Sequence, residues 1–232
     1  MSLTCVSCFY EVPNKHGNKF YEWFTNTLSI NCPYVIFTTE NLVGILQQYR
    51  QGLPTYFIIC PITEFYTFQY KDRMATHPIH CPSVELNLIW NEKMNFIKKA
   101  HEINVFKSDW FMWVDAGICV FRNKSPPSRS IANLPKLEKL PKNKLIYTSS
   151  EPYVEKYVRS NSYYHHVSGT FMMHSDMLYS FVDLYYESLN NLLSHTNIWT
   201  DQVVLTHIYK GHPELFYKIA DGYGVILHFL YA

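Results

Sequence analysis

Short apolar runs alternate with longer segments of helical periodicity along the first half of the chain. Leu3–Phe9, Tyr34–Thr39 (YVIFTT) and Thr55–Cys60 (TYFIIC) are predicted strands, rich in β-branched and aromatic residues. Between them lie a turn-prone stretch at Pro13–Gly17 and helical patterns over about Asn18–Leu28 and Leu42–Tyr49. Such alternation argues for βαβ units and a mostly parallel sheet. Right-handed crossovers then gather the carboxyl ends of the strands on one edge, where open α/β sheets bind ligands.

The longest helical pattern is Val84–Asn104, with Ser83 placed as its N-cap. Leu86, Ile89, Trp90, Phe96, Ile97 and Ala100 share one face, and Asn91, Asn95, Lys98, Lys99 and Glu102 fall on the opposite one. Lys93 interrupts the apolar stripe. A lysine in that position needs either an anion or a route by which its stem packs and its ammonium reaches water. Trp110–Asp115 (WFMWVD) is an almost wholly apolar strand, as expected for the centre of a sheet covered on both faces.

Arg122–Lys144, rich in Pro, Ser, Asn and Lys, reads as a long surface loop or lid. Leu145–Ser149 and Val167–His174 follow as strands, Asp176–Leu193 and Thr200–Tyr209 as helices, and Val225–Leu230 as a closing short strand. Neither an internal repeat nor a linker between separate cores is visible, so one α/β domain over residues 1–232 is expected.

Composition narrows the class. Hydrophobic residues make up 47% and charged residues 17%, the balance of a globular protein. The formal charge is +1 with scattered Lys and Arg, which argues against a nucleic-acid partner. No apolar run reaches the length of a membrane span, and the N-terminus lacks the pattern of a secretory signal. Cys5 and Cys8 form a CxxC with no second pair to complete a zinc site. The six cysteines therefore read as reduced core residues, and the expected setting is cytoplasmic.

Asp115 leads the candidate chemistry. It ends an apolar strand and is followed by Ala116 and Gly117, small enough to let a ligand approach the backbone. A carboxylate there can hold a divalent cation that clamps a diphosphate, or it can simply cap the next turn. His165 and His166 precede a small-residue run, Ser168-Gly169-Thr170, where a substrate could lie against the chain. Asp201, with Gln202, opens a helix; the helix dipole accounts for a carboxylate there, and a general base towards an acceptor hydroxyl is the other reading. His228 is a late candidate metal or phosphate ligand, or an ordinary core or surface histidine. The sequence has no GxGxxG after the first strand, no GxxxxGK[ST] and no GxSxG, which disfavours dinucleotide enzymes, P-loop hydrolases and α/β-hydrolases.

Taken in order, KFYEWF (19–24), YVIFT (34–38), WNEK (90–93), SDWFMWVDAGI (108–118), HHVSGT (165–170) and TDQ (200–202) resemble the HtrL/YibB-like family of GT-A-type glycosyltransferase-like proteins. The resemblance implies a GT-A-like, Rossmann-like sheet flanked by helices, a nucleotide-sugar donor and a glycan acceptor. Asp115 would take the first acidic position of a metal-binding DxD, with Mn2+ or Mg2+ as cofactor. Gly117 stands where the second Asp would be, leaving the second ligand absent or supplied by a residue such as His228. By the same resemblance Lys93, Ala116 and Gly117 would meet the donor, and His165, His166, Gly169, Thr170 and Gln202 the sugar and acceptor, with Asp201 as the catalytic residue. A non-catalytic carbohydrate- or nucleotide-binding relative, or an interaction protein, are the competing readings.

Overall fold

The computed structural model describes residues 2–50, 52–117, 119–149 and 167–232. Strands β1 (Leu3–Phe9), β2 (Tyr34–Thr38) and β3 (Thr55–Ile59) alternate with helices α1 (Lys19–Leu28) and α2 (Glu40–Arg50). Then come α3 (Val84–Ile103), β4 (Trp110–Val114), a single helical turn α4 (Leu134–Leu137), β5 (Leu145–Ser149) and β6 (Val167–His174). Helices α5 (Ser175–Leu192) and α6 (Asp201–Gly211), strand β7 (Phe216–Asp221) and helix α7 (Ile226–Tyr231) complete the order. The seven strands form one sheet, β3-β2-β1-β4-β6-β5-β7. β3, β2, β1 and β4 pair in parallel, β6 runs antiparallel to both β4 and β5, and β7 is parallel to β5. Six strands thus end on one edge, and β6 begins there.

The chain is an α/β domain with a mostly parallel sheet covered on both faces, as the alternation of strands and helices predicts. Each face has its own core. Val6, Phe37, Trp113 and Phe171 point towards α3, α5 and α6, while Cys5, Ile36, Met112 and Met172 point towards α1, α2 and α7. Cys5 and Cys8 lie three residues apart on a strand, so their side chains enter opposite cores and cannot share a ligand. Arg50 is buried on the second face, donating to the carbonyls of Leu28, Ile30, Cys32 and Pro54 with its guanidinium 4.4 Å above the Tyr34 ring. Among the described residues, no helix is long and apolar enough to cross a membrane.

Three expectations are corrected. Val225–Leu230 is helix α7 rather than a strand, because Ile226, Leu227, Leu230 and Tyr231 are buried at helical spacing; a short apolar run cannot distinguish the two by periodicity. Segment Arg122–Lys144 is largely exposed and irregular, as expected of a surface loop, but it is a strap rather than a lid: Ile131, Leu137 and Leu140 are buried, and Arg129 and Lys136 donate to the Tyr231 and Phe229 carbonyls. Asn91, placed on a polar face by its spacing, is fully buried. Its amide bonds Asn87 Oδ1 at 2.7 Å and accepts the Tyr185 hydroxyl at 2.8 Å, because α5 covers that side of α3. The N-cap of α3 is as expected, with Ser83 Oγ accepting from the Leu86 amide at 3.2 Å.

Burial shapes the titration of the fold. It pushes up the Cys8 thiol and the Tyr10, Tyr34 and Tyr185 phenols, and raises Cys81 to about 12 with a contribution from Asp201. These groups hold their protons more tightly folded than unfolded, so their contribution is complete below the ordinary thiol and phenol values and is lost above them. Thermal melts from about pH 7 to about pH 10.5 are expected to show a steadily falling Tm, starting near the free-thiol value of about 8.5. A Tm that stays flat over that range would mean these groups reach water.

Candidate functional site

A cavity of about 1010 Å³ opens at the edge where the six strands end. Three crossing elements bring charged groups to its floor. Asp115 follows β4, Lys93 projects inward from α3, and Asp201 is the first residue of α6, capped by Thr200. Lys93 Nζ lies 3.2 Å from Asp115 Oδ1 and 2.9 Å from Asp201 Oδ2. The lysine that interrupts the apolar stripe therefore has its anions, and there are two of them. Burial would push its ammonium down, but Asp115 and Asp201 together outweigh it and hold the group above the ordinary lysine value.

Asp115 is held on every side. Trp113 Nε1 donates to Oδ1 at 2.6 Å and the Tyr223 hydroxyl to Oδ2 at 2.9 Å. Its own amide donates to the Gly169 carbonyl at 2.9 Å. Burial and then Asp115 raise the Tyr223 phenol well above its usual value, which keeps it a neutral donor. Gly169 makes the arrangement possible: a Cβ there would stand 2.0 Å from Asp115 Oδ2 and 2.3 Å from the Tyr223 hydroxyl. Tyr223 arrives through a Gly222-Tyr223-Gly224 turn after β7, both glycines having positive φ (122° and 78°).

Ala116 and Gly117 line the same cavity. A Cβ at Gly117 would meet Phe20 Cε1 at 2.8 Å and Trp23 Cε3 at 3.1 Å, so a second carboxylate of a DxD has no room without moving α1 rings. Gln202 also lines the wall; its Nε2 donates to the Val167 carbonyl at 2.8 Å, and its buried Oε1 has no partner among the described residues. Trp90, Trp199 and His80 add aromatic surface.

Other expected residues fall elsewhere. Thr170 is buried and paired with Val114, and strand alternation turns it to the face opposite Gly169, away from the cavity. His228 is exposed on α7, edge-on to Phe121, and is not brought to Asp115. His165 and His166 lie outside the described residues. Sequence reasoning misses Tyr223 and Arg122; a Gly-Tyr-Gly turn is the available signal for the first.

Among the described residues, the donor set does not fit a divalent cation. Both Asp115 oxygens already receive hydrogen bonds, an ammonium occupies the space between the two carboxylates, and position 117 cannot take an acid unaided. Among the described residues, no three His, Cys, Asp or Glu side chains gather as a metal cage.

Fold and site together define an α/β domain with a charged cavity at the carboxyl edge of its sheet. The chain belongs to the HtrL/YibB family, described as a bacterial protein of unknown function, which it matches over residues 59–227. The matched span includes Lys93, Asp115, Gly169, Asp201 and Tyr223, and begins after β1 and α1. Protein HtrL of Escherichia coli (strain K12) is 22% identical over 227 residues, covering 90% of this chain and 79% of that protein. Among solved structures, a nucleotidyl transferase from Methanothermobacter thermautotroptrophicus aligns with 97% of this chain and 90% of its own at 11% identity, with a TM-score of 0.44.

Proposed function

We propose that the protein transfers a sugar from a nucleotide-sugar donor to a hydroxyl of a glycan or similar acceptor. The observation that carries this reading is the Asp115–Lys93–Asp201 floor of a large cavity at the carboxyl edge of the sheet. Two carboxylates to one ammonium leave the floor with a net negative charge. Glycosyl transfer builds positive charge on the sugar ring as the bond to the leaving group breaks, so a negative floor stabilises that transition state more than the neutral ground state. Preorganisation favours the effect, because Trp113, Tyr223 and Lys93 fix the Asp115 carboxylate before any ligand arrives.

In this reaction the acceptor oxygen bonds to the anomeric carbon, the bond from that carbon to the donor phosphate breaks, and the acceptor proton passes to Asp201. One Asp201 oxygen is clamped by Lys93; the other takes a hydrogen bond from the Thr200 hydroxyl at 3.0 Å, a rotor that can turn and free it. Gln202 offers its Oε1, which has no partner among the described residues, to a substrate hydroxyl, and Gly169 leaves the room in which the Asp115 carboxylate and the Tyr223 hydroxyl meet. Lys93 supplies positive charge between the carboxylates, and no step passes through a divalent cation.

The test is a screen of nucleotide sugars for transfer and hydrolysis, with and without EDTA. Asp201→Asn keeps the shape of the site and is expected to lower turnover by roughly 10²–10⁴-fold, with activity surviving EDTA. Undiminished turnover in that variant would overturn the assignment of Asp201. The glycine at 117, hemmed in by α1 rings, also supports a second reading, a relative that binds nucleotide sugars without turning them over; saturable binding with no turnover in the same screen would select it.

A further inference from the structure

The floor is not the only charged part of the cavity. At the other side of Gly117, the Arg122 guanidinium lies 4.0 Å over the Trp23 ring, and its Nε donates to the Gly117 carbonyl at 2.9 Å. The His16 ring packs against the same indole with centroids 4.9 Å apart and against Phe20 at 5.3 Å. Trp23 thereby holds two basic side chains in fixed positions. Lys15 joins them on the cavity wall, and Lys19 stands nearby on α1. Burial lowers the His16 pKa, and every charge that acts on it, Lys15, Arg122 and Lys19, pushes the same way. Glu11, the other carboxylate of the wall, is engaged by the Tyr21 hydroxyl.

Like charges converging on a concave surface repel one another unless an anion joins them. Among the described residues, Arg122 and Lys15 have no carboxylate partner, and the remaining guanidinium N–H groups of Arg122 meet no protein acceptor. Lys93, by contrast, is already surrounded by two carboxylates, so the floor repels an incoming diphosphate.

We propose that Arg122, Lys15 and His16, arranged around Trp23, form an anion subsite that takes the phosphate groups of a diphosphate-bearing ligand. Arg122 presents the fork that matches two phosphate oxygens, and Lys15 adds a mobile point charge. The Gly117 carbonyl ties Arg122 to the backbone two residues beyond Asp115, so the subsite adjoins the floor. The identification of the ligand as a nucleotide sugar rests on the proposed glycosyl transfer; the anion subsite does not. If both hold, the cavity is polarised along the reaction, with positive charge at the leaving phosphates and negative charge at the sugar.

Calorimetric titration of inorganic pyrophosphate into the full chain tests the subsite without any sugar. Wild type is expected to bind it, Arg122→Gln to bind about tenfold more weakly, and Lys15→Ala several-fold more weakly. Lys15 is exposed, so its variant has no folding role to confuse the result, and thermal melts check the fold of Arg122→Gln. No pyrophosphate binding by wild type, or equal affinity in all three proteins, would overturn the proposal. Pyrophosphate binding that depends on Arg122, without turnover of any nucleotide sugar, would sustain the subsite and remove the proposed reaction. Nucleotide-sugar turnover with unaltered pyrophosphate affinity in both variants would do the reverse.

Discussion

Lys93→Met is expected to lower stability by about 3–5 kcal/mol, the range for removing one partner from a buried ion pair. In a domain of this size that is a fall in Tm on the order of 10 °C. Methionine fills much of the lysine stem, so the loss comes from charge rather than from a cavity. Two carboxylates would then face each other without the ammonium, and the Asp201 side chain is only 6% exposed. The pH dependence separates this cause from poor packing. Without Lys93, burial and mutual repulsion favour the neutral acids in the folded state, which then binds more protons than the unfolded chain. Stability of the variant therefore rises as pH falls towards the carboxylate range, and its deficit relative to wild type narrows. In wild type the sign is the same for the lysine itself, but the pH window is different. Its raised pKa contributes stability that is complete at neutral pH and is lost only above the ordinary lysine value of about 10.4. Melts of both proteins at about pH 5 and about pH 8 provide the check. A variant within about 2 °C of wild type at both pH values would show that water, rather than Lys93, satisfies the carboxylates.

The same lysine shows what the sequence makes legible. A charged residue in an apolar helical stripe is conspicuous, and Asp115 at the end of an apolar strand is equally so, because both violate a pattern that the surrounding residues obey. Strands β1 to β4 and helix α3 are readable for the matching reason: continuous apolar runs and a long periodic segment leave few alternatives. Asp201 is visible as the start of a helix, but its nearness to Lys93, 108 residues away in sequence, depends on how α3 and α6 cross. Tyr223 has only its Gly-Tyr-Gly turn as a signal, because β7 is an edge strand with Tyr217, Lys218 and Asp221 exposed, and it shows no clean alternation to place the turn that follows it. Arg122 is hidden in a segment whose Pro, Ser and Lys content reads as solvent loop, although Phe121 beside it is buried. His228 and Thr170 show the opposite error, where a chemically able residue is turned away by a helix or by strand alternation.

Gly169→Ala is the second large effect, and it requires no change in charge. Gly169 sits in ordinary strand backbone, so the substitution costs nothing in φ; its whole consequence is the added methyl group. That carbon would fall 2.0 Å from Asp115 Oδ2, 2.7 Å from Asp115 Cγ and 2.3 Å from the Tyr223 hydroxyl. Asp115 cannot yield freely, because Trp113 and Lys93 hold its other oxygen, so the carboxylate and Tyr223 must both move. Overpacking of this kind costs about 1–3 kcal/mol, which the fold survives. A displacement of about 1 Å at a group that stabilises the transition state costs about 10²-fold in rate. The expected result is a folded protein with a Tm lowered by several degrees and turnover reduced at least that far. Gly44→Ala is the matched control: Gly44 lies within α2, and a methyl group added there would have nothing within 4 Å. That change is expected to be neutral or to stabilise by about 0.5–1 kcal/mol. Equal activity in the two alanine variants would mean that the Asp115–Tyr223 contact against Gly169 plays no part in the reaction. A selective loss in Gly169→Ala would tie the small-residue run of β6 to the position of Asp115, and so to the chemistry of the floor.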